Sequence, residues 1–247
     1  MPGKICYLGD DSLQGAAAYL GGIMSHYGLA FDYVPSSEPP PASFAAMPYA
    51  LYVVSDYPAA TFGPAAMSHV AERVRQGAGL AMFGGWESFF GRLGEYHASP
   101  LAEVLPVVMQ ASDDRRNSAQ PCLLNKKADH PILNGLPWDR PPGIGGYNAI
   151  TPKPAATTLL TCVRFQARRV AADFHFTRGE ESPLLIVGQY GSGRVAALAT
   201  DVAPHWVGGL VDWGDRRITQ PVGGGFVEIG NWYAQFFCNL LVWTGQL

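Results

Sequence analysis

Ala50-Leu51-Tyr52-Val53-Val54-Ser55 is apolar up to its last residue and runs straight into Asp56. A strand with one wet face alternates apolar and polar residues. A run that is apolar throughout belongs to a strand covered on both faces, as in a parallel sheet packed between helices. Two more such runs lie on either side. Lys4–Gly9 ends in Gly9-Asp10-Asp11-Ser12, and Gly79–Phe83 ends in Gly84-Gly85-Trp86-Glu87-Ser88-Phe89. The segments between them have helical spacing. Leu13, Ala16, Ala17, Leu20, Ile23, Met24 and Tyr27 share one stripe, with Ser12 as N-cap and Gly28 just past the end. Met67, Val70, Ala71 and Val74 mark a second helix over Pro64–Gln76. Ala30–Val34 adds a strand before a proline-rich connector at 35–48. Strands alternating with helices predict parallel βαβ units over residues 1–105, in a doubly wound, mostly parallel sheet flanked by helices.

Beyond residue 105 the pattern changes. Residues 106–156 read as an irregular, loop-rich insertion, with a turn into a short helix over Asp129–Leu136. Thr157–Val163 and Val170–Phe176 are short β-rich runs. Pro183–Tyr190 and Arg194–Thr200 are joined by Gly191-Ser192-Gly193, which predicts a hairpin. The last element is a helix over Gly230–Thr244, with Ile229, Trp232, Tyr233, Phe236, Phe237, Leu240, Leu241 and Thr244 on one stripe. The simplest organisation is one domain, 1–247, in which an antiparallel, β-rich extension follows the α/β half.

Composition removes several classes of function. With 48% hydrophobic and 15% charged residues, the chain is neither disordered nor a coiled coil. Its net charge of −3 leaves no basic surplus for phosphates, so no nucleic-acid partner is expected. No apolar run approaches the ~20 residues of a membrane helix, and the N-terminus lacks a signal-peptide stretch. Cys6, Cys122, Cys162 and Cys238 form no CxxC pair and read as reduced thiols in a cytoplasmic protein. HxH, HxxxH and HExxH are absent, which predicts no metal site. GxxxxGK[ST] is missing, and Gly9-Asp10-Asp11-Ser12-Leu13-Gln14-Gly15 is not GxGxxG; its two carboxylates would repel a pyrophosphate, so no cofactor is expected. There is no GxSxG elbow either, because Ser88 lies two residues past Trp86, inside the expected helix start.

Ligands of open α/β sheets bind at the carboxyl ends of the strands. That rule selects Asp10 and Asp11 after the first strand, Asp56 and Tyr57 after the third, and Trp86, Glu87 and Ser88 after the fourth. It also selects Asp201, Pro204, His205 and Trp206 after the hairpin. Each has a plainer role beside it. Asp10, Asp11 and Ser12 suit a helix cap, Asp56 a turn before Pro58, Trp86 packing over a glycine turn, and His205 a hydrogen-bonded structural role.

Ala81-Met82-Phe83-Gly84-Gly85-Trp86 resembles the strand-to-elbow segment of class I glutamine amidotransferases, and Ala199-Thr200-Asp201-Val202-Ala203-Pro204-His205-Trp206 resembles their histidine segment. The chain is similar to a bacterial, cytoplasmic group of glutamine amidotransferase-like proteins. The likeness runs through Gly84-Gly85-Trp86-Glu87-Ser88-Phe89, Leu101–Val107, His130-Pro131-Ile132, Gly146-Tyr147-Asn148 and Tyr190–Val195 to His205-Trp206. The resemblance implies a flavodoxin-like α/β fold, and it puts Trp86 where that family carries its nucleophilic cysteine. The nearest cysteine is Cys122. The family's glutamine hydrolysis proceeds through a thioester, which an indole cannot form. Trp206, not Pro-Glu, follows His205.

Three readings follow. The first is an amidotransferase-like protein without glutaminase activity that binds a small polar molecule in the former cleft. Trp86 and Trp206 would supply stacking faces, and Asp10, Asp56, Tyr57, Gly85, Ser88, Tyr147 and Asn148 would join them in the binding set. The second is an enzyme of different chemistry, with His205 as base and Glu87 or Asp201 as acid or orienter. The third is a non-catalytic assembly module, with a homo-oligomer left open. Glu87 is expected at a helix N-terminus that favours its charged form, within reach of His205.

Overall fold

A computed structural model describes residues 3–247. The strands are β1 (Lys4–Gly9), β2 (Phe31–Val34), β3 (Tyr49–Ser55), β4 (Gly79–Phe83), β5 (Val107–Val108), β6 (Arg115–Lys126), β7 (Gly143–Asn148), β8 (Thr151–Pro152), β9 (Thr157–Val170), β10 (Asp173–Tyr190), β11 (Gly193–Leu198), β12 (Arg217–Val222) and β13 (Gly225–Gly230). The helices are α1 (Ala17–His26), α2 (Ala59–Phe62), α3 (Pro64–Arg75), α4 (Leu101–Val104), α5 (Pro204–Val207) and α6 (Asn231–Gly245).

One nine-stranded sheet runs β2-β1-β3-β4-β11-β10-β9-β6-β7. Its β2-β1-β3-β4-β11 half is parallel throughout. The rest is antiparallel throughout, so the sheet is evenly mixed rather than mostly parallel. The apolar runs fall where burial demands: β3 and β4 are buried at nearly every position. Residues 106–156, expected to be mainly loop, supply β6 and β7, the outer edge of the sheet. The turn expected over Asp129–Leu136 is a single 3-10 turn, Pro131–Leu133.

Three local expectations are corrected. The first helix begins at Ala17, because Ser12 turns its side chain to the N–H of Gln14 and residues 13–16 form a turn before the helix. Val170–Phe176 is not one strand. It straddles a hairpin tip in which Ala171 takes φ 57°, and β9 and β10 are long strands meeting there. No helix follows β4: residues 84–95 are a chain of bends and turns, so Ser88 sits in a loop and Glu87 has no helix dipole beside it.

Helices cover both faces of the parallel half. On one, α6 buries Tyr233, Phe236, Phe237, Leu240 and Leu241, and the Phe237 ring meets Phe83 of β4 edge-on at 5.5 Å. Trp232, expected on the buried stripe, is only partly buried and packs against Trp213, 6.0 Å between centroids. Elsewhere, α3 buries Met67, Val70 and Val74. The β12–β13 ribbon lies on α1, where Gly22 leaves the space that Val227 fills. All four cysteines are free and buried.

Phe236 is fully buried within α6. Phe236→Ala is expected to cost about 3–5 kcal/mol of stability, because the removed ring leaves a cavity that the fold cannot fully close. An unchanged urea midpoint would show that this face of α6 does not carry the core.

Candidate functional site

The parallel register aligns the carboxyl ends of β1, β3, β4 and β11; Asp10 and Asp56 follow β1 and β3 at once, the Gly84–Glu87 turn follows β4, and Asp201 stands three residues past β11. Asp10 and Asp56 both leave their strands with positive φ, 48° and 45°. Aspartate tolerates that left-handed turn better than most side chains. Here it redirects the chain at the strand end. The N–H of Asp10 donates to the carbonyls of Ser55 (3.0 Å) and Asp56 (3.1 Å), and its own carbonyl accepts from Ser36 N–H and the Tyr33 hydroxyl, both at 2.8 Å. The ends of β1, β2 and β3 are thereby tied together.

The turn after β4 is held from both sides. Asp56 Oδ1 accepts the N–H of Glu87 at 2.7 Å, and the N–H of Asp56 donates to Ser88 Oγ at 2.9 Å. From the far side, Asn148 at the end of β7 accepts the N–H of Gly85 at 2.9 Å. Its amide nitrogen donates to the Gly85 carbonyl (3.1 Å) and to Asp114 Oδ1 (2.7 Å). Asp114 in turn accepts from the N–H groups of Phe90 and Gly91. Gly85 is required here, because a β-carbon would collide with the Asp56 carboxylate.

Between these elements lies a cavity of about 200 Å³ lined by Asp10, Asp11, Ser36, Asp56, Trp86 and Glu87. Ser36 Oγ donates to Asp11 Oδ1 at 3.0 Å. Asp201 is buried close by, and its Oδ1 accepts from the N–H groups of Val202 (2.6 Å) and Ala203 (3.0 Å). His205 is exposed on α5 and meets the Trp86 indole edge-on, 5.7 Å between centroids. The Arg115 guanidinium lies 4.4 Å from the centroid of the Trp86 ring and is paired with Asp113.

The expected site residues therefore separate. Asp10, Asp56, Trp86 and Glu87 converge on the cavity, with Asp11 and Ser36 beside them. Gly85, Ser88 and Asn148 hold its rim in place. Asp201 takes backbone donors and makes no hydrogen bond to His205 among the described residues. Tyr57 is fully buried, its hydroxyl donating to the Glu38 carbonyl, and presents no surface to a ligand. Trp206 offers no stacking face, since it is 1% exposed, donates to Asn117 Oδ1 at 2.8 Å and lies against Gly146. The Tyr147 hydroxyl is spent on Ser182 at 3.0 Å, with Arg164 over its ring. Sequence reasoning passed over Ser36 and Asp114. Asp114 stands in the run Asp113-Asp114-Arg115-Arg116, whose charge reads as solvated surface, and Ser36 carries no motif.

Burial shifts the carboxyls strongly. That of Asp10 is pushed up to about 8, by desolvation first and then by the charge on Asp201. Desolvation also raises Asp56 well above the carboxylate range, with Asp201 and Asp10 adding to it. Asp201 rises to about 6 through burial, opposed by its two backbone donors. Glu87 is raised as well, by burial and then Asp11, the reverse of the helix-dipole expectation. A charge on Asp201 adds to the rise of both Asp10 and Asp56. At neutral pH the cavity thus presents protonated, hydrogen-donating carboxyls as well as acceptors. Among the described residues no group of His, Cys, Asp and Glu is arranged to hold a metal ion.

Residues 50–218 match the GATase1-like family model, described as "putative glutamine amidotransferase". The cytoplasmic protein STM1381 from Salmonella typhimurium LT2 superposes with a TM-score of 0.76 at 25% identity, over 98% of this chain and 99% of that one. The cytoplasmic protein STM3548 from Salmonella typhimurium gives a TM-score of 0.75 at 24% identity, over 98% of both chains. A cold-adapted β-galactosidase from Rahnella sp. R3 shares the fold alone, with a TM-score of 0.54 at 14% identity over 96% of this chain and 30% of that one. No curated protein sequence matches the chain.

The raised carboxyls set the sign of a pH dependence. Unfolded aspartates release their protons near pH ~3.9, whereas folded Asp201 and Asp10 hold theirs to about 6 and about 8. The folded state binds more protons across that window, so these groups make stability fall as pH rises from about 4 to about 8. Asp10→Asn should flatten the upper part of the fall and raise the melting temperature at alkaline pH. A variant less stable than the parent above pH 8 would contradict the shift.

Proposed function

Since the chain belongs to the GATase1-like family, we propose that it is an amidotransferase-like protein that has lost glutaminase chemistry and binds a small polar ligand in the cleft at the carboxyl edge of the sheet. The reading is carried by what stands after β4. Trp86 occupies the elbow position, and the cavity beside it is lined by four carboxyl side chains and contains no cysteine. Cys6, Cys122, Cys162 and Cys238 are all buried elsewhere. Carboxyls that keep their protons at neutral pH are both donors and acceptors, which suits a ligand rich in hydroxyl or amino groups. The strand order β2-β1-β3-β4-β11 supports a flavodoxin-like parallel half, and one sheet running through both halves supports a single domain. A cytoplasmic site of action accords with the names of the two Salmonella proteins. Among the described residues no helix is long and apolar enough to cross a membrane.

A second reading, an assembly module, rests on a separate observation. Beyond residue 164 the β9–β10 hairpin projects as an arm, on which Phe174 and Phe176 are 63% and 69% exposed. Arg178 pairs with Phe165 and Phe176 with Ala167, so Phe165, Phe174 and Phe176 share one face. A lone two-stranded ribbon is marginal in water, and an aromatic face of this kind is a natural contact surface for a second copy.

Purified protein should release no ammonia from glutamine in a coupled assay, and Trp86→Cys should not restore release. The surrounding carboxylates would hold a thiol at that position protonated. Turnover in the parent that one cysteine substitution abolishes would show that the nucleophile stands elsewhere. For the arm, light scattering at micromolar concentration should give twice the chain mass for the parent and the single chain mass for the double variant Phe174→Ser, Phe176→Ser. A monomeric parent rejects the second reading.

A further inference from the structure

The carboxyls around the cavity lack a cation. Asp10 and Asp11 follow β1, Asp56 follows β3, Glu87 follows β4 and Asp201 follows β11. Among the described residues none of them has a Lys, Arg or His within salt-bridge distance. The other titratable groups packed around them add no positive charge: Tyr7 on β1, Tyr33 on β2, Tyr96 after the β4 turn and Tyr233 on α6. Arg115 lies outside, over Trp86, and already holds Asp113; His205 meets Trp86 edge-on. An isolated buried charge is costly to desolvate, so Asp10 and Asp56 keep their protons until a cation is brought to them. Asp10 makes the deficit specific. It is 8% exposed, it lines the cavity, and its only side-chain donor is the Tyr7 hydroxyl, on Oδ2 at 3.3 Å; Oδ1 has no partner among the described residues.

Resting on the reading of this cavity as a ligand site, we propose that its ligand is a short aliphatic amine, bound as the ammonium, whose charge and three N–H donors supply the partner that Asp10, Asp56 and Glu87 lack. An ammonium has donors only, matching carboxylates that have acceptors only once ionised. The Trp86 indole already carries the Arg115 guanidinium over its ring, so the carboxyls rather than the indole hold the ammonium. The cavity, about 200 Å³ and open to solvent, suits a small ligand. Entry of a cation makes ionisation of Asp10 and Asp56 favourable. The protons they hold at neutral pH pass to the buffer, while the amine keeps its own, its pKa being near ~10.4 as for lysine.

Three probes of equal chain length separate the alternatives: butane-1,4-diamine, butane-1,4-diol and succinate. In titration calorimetry at pH 7, in two buffers of different ionisation enthalpy, the diamine should bind at least about tenfold tighter than the diol and release protons to the buffer. Succinate should not bind. Asp10→Asn and Asp56→Asn should each weaken the diamine about tenfold, whereas Asp215→Asn, a surface carboxylate away from the cavity, should not. Diol binding equal to or tighter than diamine binding, lost in Asp56→Asn, would overturn the ammonium assignment and leave the small-ligand reading standing. Diamine binding unaffected by either cavity variant would mark attraction to the acidic surface and overturn the assignment. Binding of none of the three would overturn both.

Discussion

Asn148 joins the two halves of the molecule through one side chain. Its amide accepts from Gly85 N–H and donates to the Gly85 carbonyl and to Asp114, so a residue of the antiparallel edge fixes a turn of the parallel half. Its own N–H donates to the Ala199 carbonyl just past β11 at 2.8 Å. All of this is buried, where a hydrogen bond is strong and an unmade one is costly. The turn after β4 has no helix to stiffen it, and the bonds from Asn148, Asp114 and Asp56 take that role. Without them the positions of Trp86 and Glu87 would follow a loop free to move, and the cavity would have no fixed wall.

The same clamp has an electrostatic consequence. By satisfying the turn's N–H groups with Asp56, Asp114 and Asn148, the fold spends donors that an oxyanion would otherwise find. What remains open to the cavity is acceptor-rich. Neighbouring carboxyls in a desolvated site cannot all ionise cheaply, so protons are retained above the usual carboxylate range. Such a cluster costs stability as it ionises. On the proposed reading that cost serves a receptor for positive or proton-donating groups.

The parallel half was legible in the sequence because its signals are local. β1 and β4 run over the residues their apolar patterns predict, and Asp10, Asp56, Trp86 and Glu87 follow from the rule that ligands gather at strand ends. The remainder depends on contacts distant in sequence. Trp206 and Trp86 are equally plausible stacking residues by type, and only the packing of Trp206 on Gly146 and its bond to Asn117 separates them. Tyr57 lies next to Asp56 in the chain yet turns into the core. β6 is polar and β7 glycine-rich, so strand propensity is faint; β6 pairs with the edge of β9, and β7 pairs with β6. The missing helix after β4 has a physical reason of the same kind. Ser88, a fair N-cap by type, is drawn to the N–H of Asp56 instead, and Asp114 takes the N–H groups that would have begun a first turn.

Fold and chemistry therefore part company at one edge of the sheet. Topology alone brings the ends of β1, β3, β4 and β11 together, whatever side chains stand there, and this explains why a β-galactosidase at 14% identity shares the architecture. The chemistry depends on the residues that fill the edge. A thioester mechanism needs a thiolate, stabilised by positive charge or backbone N–H groups. This edge offers a tryptophan ringed by carboxyls, with its nearest guanidinium already held by Asp113. The carboxyls lining this edge disfavour an anion there. On the proposed reading, the tryptophan at the elbow and the excess of acid around it belong together, since the field that would hold a cysteine protonated is the field that attracts a cation.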